Sequence, residues 1–336
     1  MLQFQNNTGF EGTLFATPDE QGVDSIYAVV KGTFDLERGL APAEQQVPVA
    51  LADEYYGEPG SSSIRVPSDV GLEKPGTDVL LVGHAYPPGG RPAVYVDVWL
   101  TVGPIRKVVR VFGDRQWRSD GIGYVLTSPE PFEAMPLVWE RAYGGAALDA
   151  AEPQEEPRNP VGTGFRAPGS DTPVEEIRPP NLENPYAPIT GWKDRPPPAC
   201  FAPICAHWEP RRSYAGTYDE AWQQQRAPYL PADFDPRFFQ LAPPDQVWPG
   251  HLAGGEQVEI VGASPAGPLS FRLPAVGVRV TYVVDGSREV RPAKLDTVLI
   301  EPDAGRVVLV WRSRLACDKK VLRVESVIAD LVAAQG

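Results

Sequence analysis

Proline is the feature that most restricts how this chain can fold. The sequence has 38 prolines in 336 residues, and each proline inside a helix costs about 3 kcal/mol because its ring clashes with the preceding turn and it has no amide hydrogen. Most of them lie in residues 129–250, in stretches such as RPPNLENP, RPPPACFAPIC and LAPPDQVWPG. A helical bundle is therefore disfavoured, and regular structure is expected on either side of this segment.

The first third of the chain alternates apolar and polar residues as a half-buried strand does. In AVYVDVWLTV, Val94, Val96, Val98 and Leu100 fall on one face, and Tyr95, Asp97, Trp99 and Thr101 fall on the other. Gly103-Pro104 then interrupts the chain before IRKVVRVFG, which predicts a hairpin. Residues 24–36 and 77–86 are two further predicted strands.

The last third carries two turn signals between extended runs. Asp285-Gly286 predicts a two-residue hairpin turn, and Pro302-Asp303-Ala304-Gly305 predicts a second turn. The tail, ESVIADLVAA, is predicted to be a helix. The chain is thus predicted to be mainly β, with antiparallel, sandwich-like blocks at 1–128 and 251–336.

The segment 129–250 between these blocks is open to two interpretations. A solvated proline-rich linker is one, but disordered chains are poor in aromatic residues. We therefore predict ordered, irregular structure that packs on the β blocks through its tryptophans. These are Trp139, Trp192, Trp208, Trp222 and Trp248.

Composition excludes several classes of function. The net charge of −13 and the absence of a basic run disfavour nucleic-acid binding. No apolar run reaches the roughly 20 residues of a membrane-spanning helix, and the N-terminus lacks the basic and apolar regions of a secretory signal. Three cysteines do not form a disulfide framework. We expect a cytoplasmic protein without membrane insertion.

Metal and nucleophile chemistry have weak support in the sequence. Cys200, Cys205 and His207 form a C-x4-C-x-H cluster that lacks the paired spacings of a zinc site, and buried thiols that fill space are the more common alternative. No G-x-S-x-G, P-loop or complete G-x-G-x-x-G pattern occurs. Neither a metal nor a cofactor is predicted.

Paired carboxylates beside aromatic residues are the best enzyme candidates. A glycosidase needs two carboxyl groups on either side of one bond, and Asp219, Glu220, Asp233 and Asp235 lie near Tyr218, Trp222 and Arg226. The alternative is structural, because Asp219 precedes the helix-forming run EAWQQQR as an N-cap would. Asp233 and Asp235 likewise precede Pro236 in a turn or cap pattern. We favour the structural role.

A second aromatic and charged cluster lies in WERAYGG. Glu140 is next to Arg141, with Trp139 and Tyr143 around them. A buried pair of arginine and carboxylate is predicted here, since an aromatic shell disfavours an unpaired charge.

These stretches also resemble a bacterial family. The motifs KPGTDVLLVGHAY, MPLVWERAYGG, NPVGTGF, PPNLENP and WEPRRSYAGTYDEAWQQQRAPYLPADFDPRFFQLAPPDQ are similar to those of domain-of-unknown-function family 2169, over residues 3–315. Members of that family are associated with genes for VgrG spike proteins and for effectors with PAAR-type tips. The resemblance implies a non-enzymatic adaptor or chaperone that binds a type VI secretion effector and helps to load it on the VgrG spike.

Two alternatives to the adaptor stay open on the sequence. One is a carbohydrate-active enzyme or sugar-binding β protein that uses Asp219, Glu220, Asp233 and Asp235. The other is a structural component that travels with the spike. The resemblance brings no catalytic residues with it, so the two clusters are predicted as scaffold or as partner-binding surface.

Overall fold

The computed structural model of the protein describes residues 2–147 and 154–333, and strands dominate it. Strands account for 41% of the structure and helices for 10%, which confirms the prediction of a mainly β chain. The strands of the first part are β1 Gln3–Asn6, β2 Glu11–Pro18, β3 Asp24–Asp35, β4 Ala41–Pro42, β5 Glu54–Tyr55, β6 Ile64–Val66, β7 Gly76–Leu81, β8 His84–Ala85, β9 Tyr95–Val102, β10 Ile105–Phe112, β11 Trp117–Ser119, β12 Tyr124–Leu126 and β13 Met135–Pro136. Those that follow are β14 Tyr143–Gly144, β15 Ala146–Ala147, β16 Gln154–Glu155, β17 Thr163–Gly164, β18 Leu182–Glu183, β19 Val247–Pro249, β20 Gln257–Val261, β21 Leu269–Arg272, β22 Val276–Val284, β23 Ser287–Pro292, β24 Lys294–Glu301, β25 Arg306–Ala316 and β26 Val324–Ala333.

Helical structure is short throughout the described residues. The α-helix α1 spans Glu220–Gln225, and the other helices are single or double 3-10 turns. None of the described helices is long and apolar enough to span a lipid bilayer. The 3-10 turns are Pro88–Gly90, Trp139–Arg141, Val174–Glu176, Arg211–Tyr214, Pro236–Phe239, Pro244–Gln246, Pro302–Ala304 and Asp318–Arg323.

Strands from both ends of the chain share the largest sheet. Its order is β19-β7-β24-β25-β3-β2, with β4 paired to β3. β25 runs antiparallel to β3, whereas β7 and β24 are parallel, with Thr297 opposite Asp78. A second sheet has the order β18-β10-β9-β20-β21, and a third has β1-β26-β22-β23.

The largest sheet is buried on both faces. Along β3, Ile26, Ala28 and Val30 enter a main core that the inner residues of the other two sheets share. Val29 points to the opposite face and joins a smaller core with Leu241 of the proline-rich segment. Because successive side chains of a strand point to opposite faces, this double burial explains the nearly uninterrupted apolar run of β3.

The predicted hairpins are confirmed. Val102 lies opposite Ile105 across the Gly103-Pro104 turn, and β9 buries every second residue as predicted. Asp285 and Gly286 have φ values of 49° and 76°, as a two-residue turn with both central residues left-handed requires. The turn at 302–305 joins β24 to β25, and Gly305 adopts φ 63°.

The prediction of a C-terminal helix was wrong. Residues 324–333 form β26, which lies between β1 and β22. The spacing of Val324, Val327 and Ile328 also suits one face of a helix, so periodicity left the choice open. The segment is a strand because β1 and β22 each offer an edge with which it pairs, and because β-branched side chains favour strands.

Candidate binding cleft

A cleft of about 450 Å³ opens where the proline-rich segment crosses the second sheet. Segments around residues 197–199, 209–210 and 243–245 form its walls, and β10 forms part of its floor. Proline has no amide hydrogen to satisfy and its φ is fixed, so walls of this kind are rigid and leave no proline amide donor unpaired. The prolines that line the cleft are Pro197, Pro198, Pro210, Pro243 and Pro244.

Lys107 brings a buried cation to the cleft. It lies on β10 in the inward series with Ile105 and Val109, and its side chain is 7% exposed. The ammonium nitrogen donates to Asp245 Oδ1 at 2.8 Å and lies 5.7 Å from the ring centre of Phe201. Burial lowers the pKa of Lys107, and Asp245 only partly offsets this.

The indole of Trp139 forms an apolar part of the lining. It is buried at the start of a 3-10 turn, and its Nε1 donates to the carbonyl of Pro203 at 2.8 Å. Its ring meets that of Trp208 edge to face, with centroids 6.1 Å apart. This arrangement fixes the path of the proline-rich segment beside the cleft.

Charged groups at the cleft are largely engaged with their neighbours. Arg158 donates twice to Glu156, at 2.6 and 2.8 Å. The carboxylate of Glu209 accepts from the hydroxyl and the amide of Ser213. Lys107 and these groups therefore place polar atoms at defined positions around an otherwise apolar lining.

A second hollow of about 360 Å³ adjoins the first and shares Pro210 and Pro244 with it. Its lining includes Tyr214, Arg211 and Arg237, and the guanidinium of Arg237 lies 4.3 Å from the ring centre of Tyr214. The two hollows together form an elongated surface, here called the proline cleft. An extended segment of another chain fits such a shape better than a compact small molecule does.

A buried ion network anchors the wall of the proline cleft. Asp78 of β7 accepts from the amides of Leu241 and Ala242, at 2.9 and 3.1 Å, and from Lys74 Nζ at 2.8 Å. Leu241 and Ala242 lead directly into Pro243 and Pro244. Asp78 of the largest sheet thus helps to hold the wall in place.

Asp219 and Glu220 act locally. Asp219 precedes α1, and its Oδ1 accepts from the amide of Trp222 at 2.8 Å, which confirms the predicted N-cap. Glu220 accepts from Gln224 Nε2 at 3.0 Å.

Asp233 and Asp235 are engaged in the same way. Asp233 accepts from the amide and the hydroxyl of Thr217, and these bonds lower its pKa. Asp235 caps the next 3-10 turn and accepts from Arg237, whose side chain lowers the pKa of Asp235. A glycosidase acid needs a raised pKa, so the direction of both shifts does not suit that role.

Tyr218, Trp222 and Arg226 stabilise the loop that carries these carboxylates. The rings of Tyr218 and Trp222 meet at 4.8 Å, and Trp222 Nε1 donates to the carbonyl of Tyr229 at 2.8 Å. Arg226 donates to the carbonyls of Leu230 and Glu20, at 2.8 and 2.9 Å. Arg226 therefore ties the middle segment to the N-terminal strands.

The predicted pairing within WERAYGG was wrong in its partners. Glu140 accepts from the amide and hydroxyl of Ser63, both at 2.7 Å, and Arg141 reaches Asp114 at 3.2 Å. The side chains of neighbouring residues on a tight turn point in different directions, so Glu140 and Arg141 each bind a residue of a different loop. Tyr143 is buried and lies away from the proline cleft, at a different hollow described below.

The residues of the C-x4-C-x-H pattern do not form one site, because the two cysteines lie in the core and His207 is exposed. Cys200 and Cys205 are buried, and burial raises the pKa of each thiol to about 12. His207 Nε2 accepts from the indole nitrogen of Trp208 at 3.0 Å. Among residues 2–147 and 154–333, no group of three or more histidine, cysteine, aspartate or glutamate side chains is placed to hold a metal ion.

A family profile described as an uncharacterized protein conserved in bacteria (DUF2169) matches residues 21–312. The chain belongs to this family. Neither the curated proteins nor the solved structures contain a match to it. The family description gives no activity, so the proline cleft is the feature from which a function of this DUF2169 protein is argued.

Sequence reasoning missed most of the lining of the proline cleft in this DUF2169 chain. Lys107 did carry a signal, because a lysine at an inward position of an alternating strand needs a buried partner. Asp245 gave none, since its partner lies 138 residues away. The prolines of the wall were predicted to belong to an ordered, irregular segment, but their positions in the sequence do not show which of them come together to line one cleft.

Proposed function

We propose that this protein is a non-enzymatic adaptor that binds a type VI secretion effector with a PAAR-type tip and assists its loading on the VgrG spike. The secretion setting comes from the resemblance of the sequence motifs. The proline cleft supplies the physical support, and we assign it as the surface that receives an extended segment of the effector.

The decisive observation is the combination of rigid apolar walls with a buried cation. A surface that is already ordered loses little conformational entropy on binding. Lys107 uses one hydrogen bond to Asp245, whereas an ammonium group has three donors. A backbone carbonyl of the bound segment would take up a further donor while its side chains pack on the prolines and Trp139.

Local bonds engage each carboxylate that suggested an enzyme, namely Asp219, Glu220, Asp233 and Asp235. This arrangement gives the carbohydrate-active alternative no support. The adaptor requires a partner surface and not a reacting group, which is consistent with this arrangement.

The first test is a pull-down of the tagged protein from the native host, followed by mass spectrometry. Enrichment of a PAAR-type effector or of VgrG supports the proposal, and background alone would overturn it. Recovery of the protein in the culture supernatant at the level of the spike would instead favour a secreted structural component.

The second test places the binding surface. Pro197→Arg and Pro244→Arg each introduce a long charged side chain at an exposed position of the cleft. Pro92→Arg makes the same change at an exposed proline outside the cleft lining and is the matched control. We expect both cleft variants to lose at least about tenfold in effector recovery at unchanged melting temperature. Equal recovery by all three variants would remove the cleft from consideration.

A further inference from the structure

A separate hollow of about 350 Å³ lies between β14 and the loops at 164–169 and 192–195. Its walls include Tyr143 and Trp192, which belong to a small hydrophobic cluster of their own. The hollow shares no lining residue with the proline cleft. We call it the Trp192 pocket.

Three cations line the Trp192 pocket. They are Arg166, which is half-buried, and Lys193 and Arg195, which are exposed at its mouth. None of the three forms an ion pair with a carboxylate in the described part of the chain, in contrast to Arg158, which binds Glu156. This cluster of positive charge contrasts with the protein as a whole, which has a net charge of −13.

The bonds of these cations orient them without neutralising them. Arg166 donates to the backbone carbonyls of Thr172 and Ser170, and Arg195 donates to the carbonyl of Arg166 at 2.8 Å. Neutral carbonyl partners leave the positive charge in place. Each guanidinium also retains N–H donors beyond those that these bonds use.

The same three cations form cation–π contacts with aromatic rings. Arg166 and Lys193 lie 5.4 and 5.0 Å from the ring centre of Trp192, and Arg195 lies 5.2 Å from that of Phe165. Such contacts restrict the rotamers of long side chains and keep the charges together before any ligand arrives. The pocket is thus arranged for a negative group.

Asp194 and Glu156, two carboxylates beside these cations, are bound by other groups. Asp194 lines the pocket, but its Oδ2 accepts from the amides of Thr190 and Gly191, both at 2.8 Å, and these bonds lower its pKa. Glu156 is bound twice by Arg158. Three positive charges against the single carboxylate of Asp194 leave the lining of the pocket with a net charge of about +2.

We propose that the Trp192 pocket is an oxyanion-binding site, which holds a phosphate or carboxylate group between Arg166, Arg195 and Lys193. Planar guanidinium groups suit both kinds of oxyanion, since each offers parallel donors to two oxygens. The volume exceeds that of the oxyanion alone, which leaves room beside Trp192 for a larger ligand. This site is independent of the proposed adaptor function and of the proline cleft.

The test is isothermal titration of the full chain with inorganic phosphate and, separately, with succinate, at constant ionic strength set with chloride. Binding of phosphate alone assigns a phosphoryl ligand, binding of succinate alone assigns a carboxylate ligand, and binding of both supports a general oxyanion site. Binding of neither overturns the proposal.

Variants locate the site. Lys193→Gln removes a side chain without a hydrogen bond in the structure, and we expect the dissociation constant to rise about threefold or more. Arg166→Gln with Arg195→Gln should raise it by about tenfold or more. The double variant Arg91→Gln with Arg288→Gln makes the same change of charge at exposed positions outside the pocket and should bind as the wild type does.

The controls keep the result independent of folding. Lys193→Gln should melt at the wild-type temperature, so its weakened binding reports on the pocket alone. If the control pair weakens binding as much as the pocket variants do, the effect is one of net charge and the proposal fails.

Discussion

Replacement of Asp78 by alanine tests how the proline cleft is supported. Asp78 lies in the middle of β7 and is fully buried. Its carboxylate pairs with Lys74 at 2.8 Å and accepts from the amides of Leu241 and Ala242. All of these groups are buried, so water cannot replace the lost oxygen atoms.

The magnitude follows from what the substitution leaves behind. Breaking a buried ion pair by removal of one partner costs about 3–5 kcal/mol. Lys74 keeps Thr297 Oγ1 at 2.7 Å and Asp296 at 3.7 Å, which places the loss at the lower end of that range. Two buried amides without acceptors add about 1–3 kcal/mol each. We expect a total loss of at least about 5 kcal/mol, a large part of the 5–15 kcal/mol that stabilises a typical domain.

Urea unfolding followed by circular dichroism measures this loss. Asp171→Ala, at an exposed position without a hydrogen bond in the structure, should stay within about 0.5 kcal/mol of the wild type. Asp78→Asn keeps an acceptor oxygen for one of the amides. Its loss of unfolding free energy should therefore lie between those of Asp171→Ala and Asp78→Ala. A loss below about 1 kcal/mol in Asp78→Ala would refute the reasoning, because removal of one partner of a buried pair typically costs several times as much.

Three further predictions concern pH, a helix cap and a glycine. Burial alone would raise the pKa of Asp296, but the buried cations of Arg312 and Lys74, at 2.6 and 3.7 Å from its carboxylate, hold the pKa below its usual value of 3.8. The contribution of Asp296 to stability is complete above the unfolded-state pKa and is lost as the pH falls below about 4. Asp296→Asn should therefore show a shallower loss of unfolding free energy in acid, and a slope equal to that of the wild type would contradict this. Asp219→Ala removes the cap of α1 at a cost of about 1 kcal/mol. Hydrogen exchange of the Trp222 amide, which Asp219 binds, should therefore accelerate about fivefold, and an unchanged rate would show that the cap is dispensable. Gly113→Ala would place a Cβ 1.7 Å from the carbonyl oxygen of Glu130 and should lower the melting temperature by many degrees, whereas Gly123→Ala, which meets nothing within 4 Å, should not.

Local sequence patterns predicted the strands that alternate apolar and polar residues and the turns that contain turn-forming residues. Tyr95–Val102 alternates cleanly because one of its faces lies in the core and the other does not. Asp285-Gly286 fixes a turn by backbone conformation alone. The helix predicted for the C-terminal tail was wrong because the apolar spacing there suits a helix and a strand equally. Only the pairing with β1 and β22 decides that this segment is a strand.

The candidate sites depend on pairings that no local pattern contains. Asp219 was predictable as a cap because its partner lies three residues away. Glu140 was not, because Ser63 lies 77 residues away. Lys107 with Asp245, and Arg166 with Arg195, are likewise brought together only by the folded chain.

The shared sheet also has a consequence for the synthesis of the protein. β3 pairs with β25, so that Asp35 lies opposite Arg306 and Ser25 lies opposite Ala316. A ribosome releases β3 long before β25 exists, and through that interval one of the most apolar strands of the chain has no partner on that edge. Pairings between such distant segments form slowly, and an unpaired apolar edge in the meantime invites aggregation. Yield of the folded protein should therefore depend on translation speed and on general chaperones more than its final stability suggests.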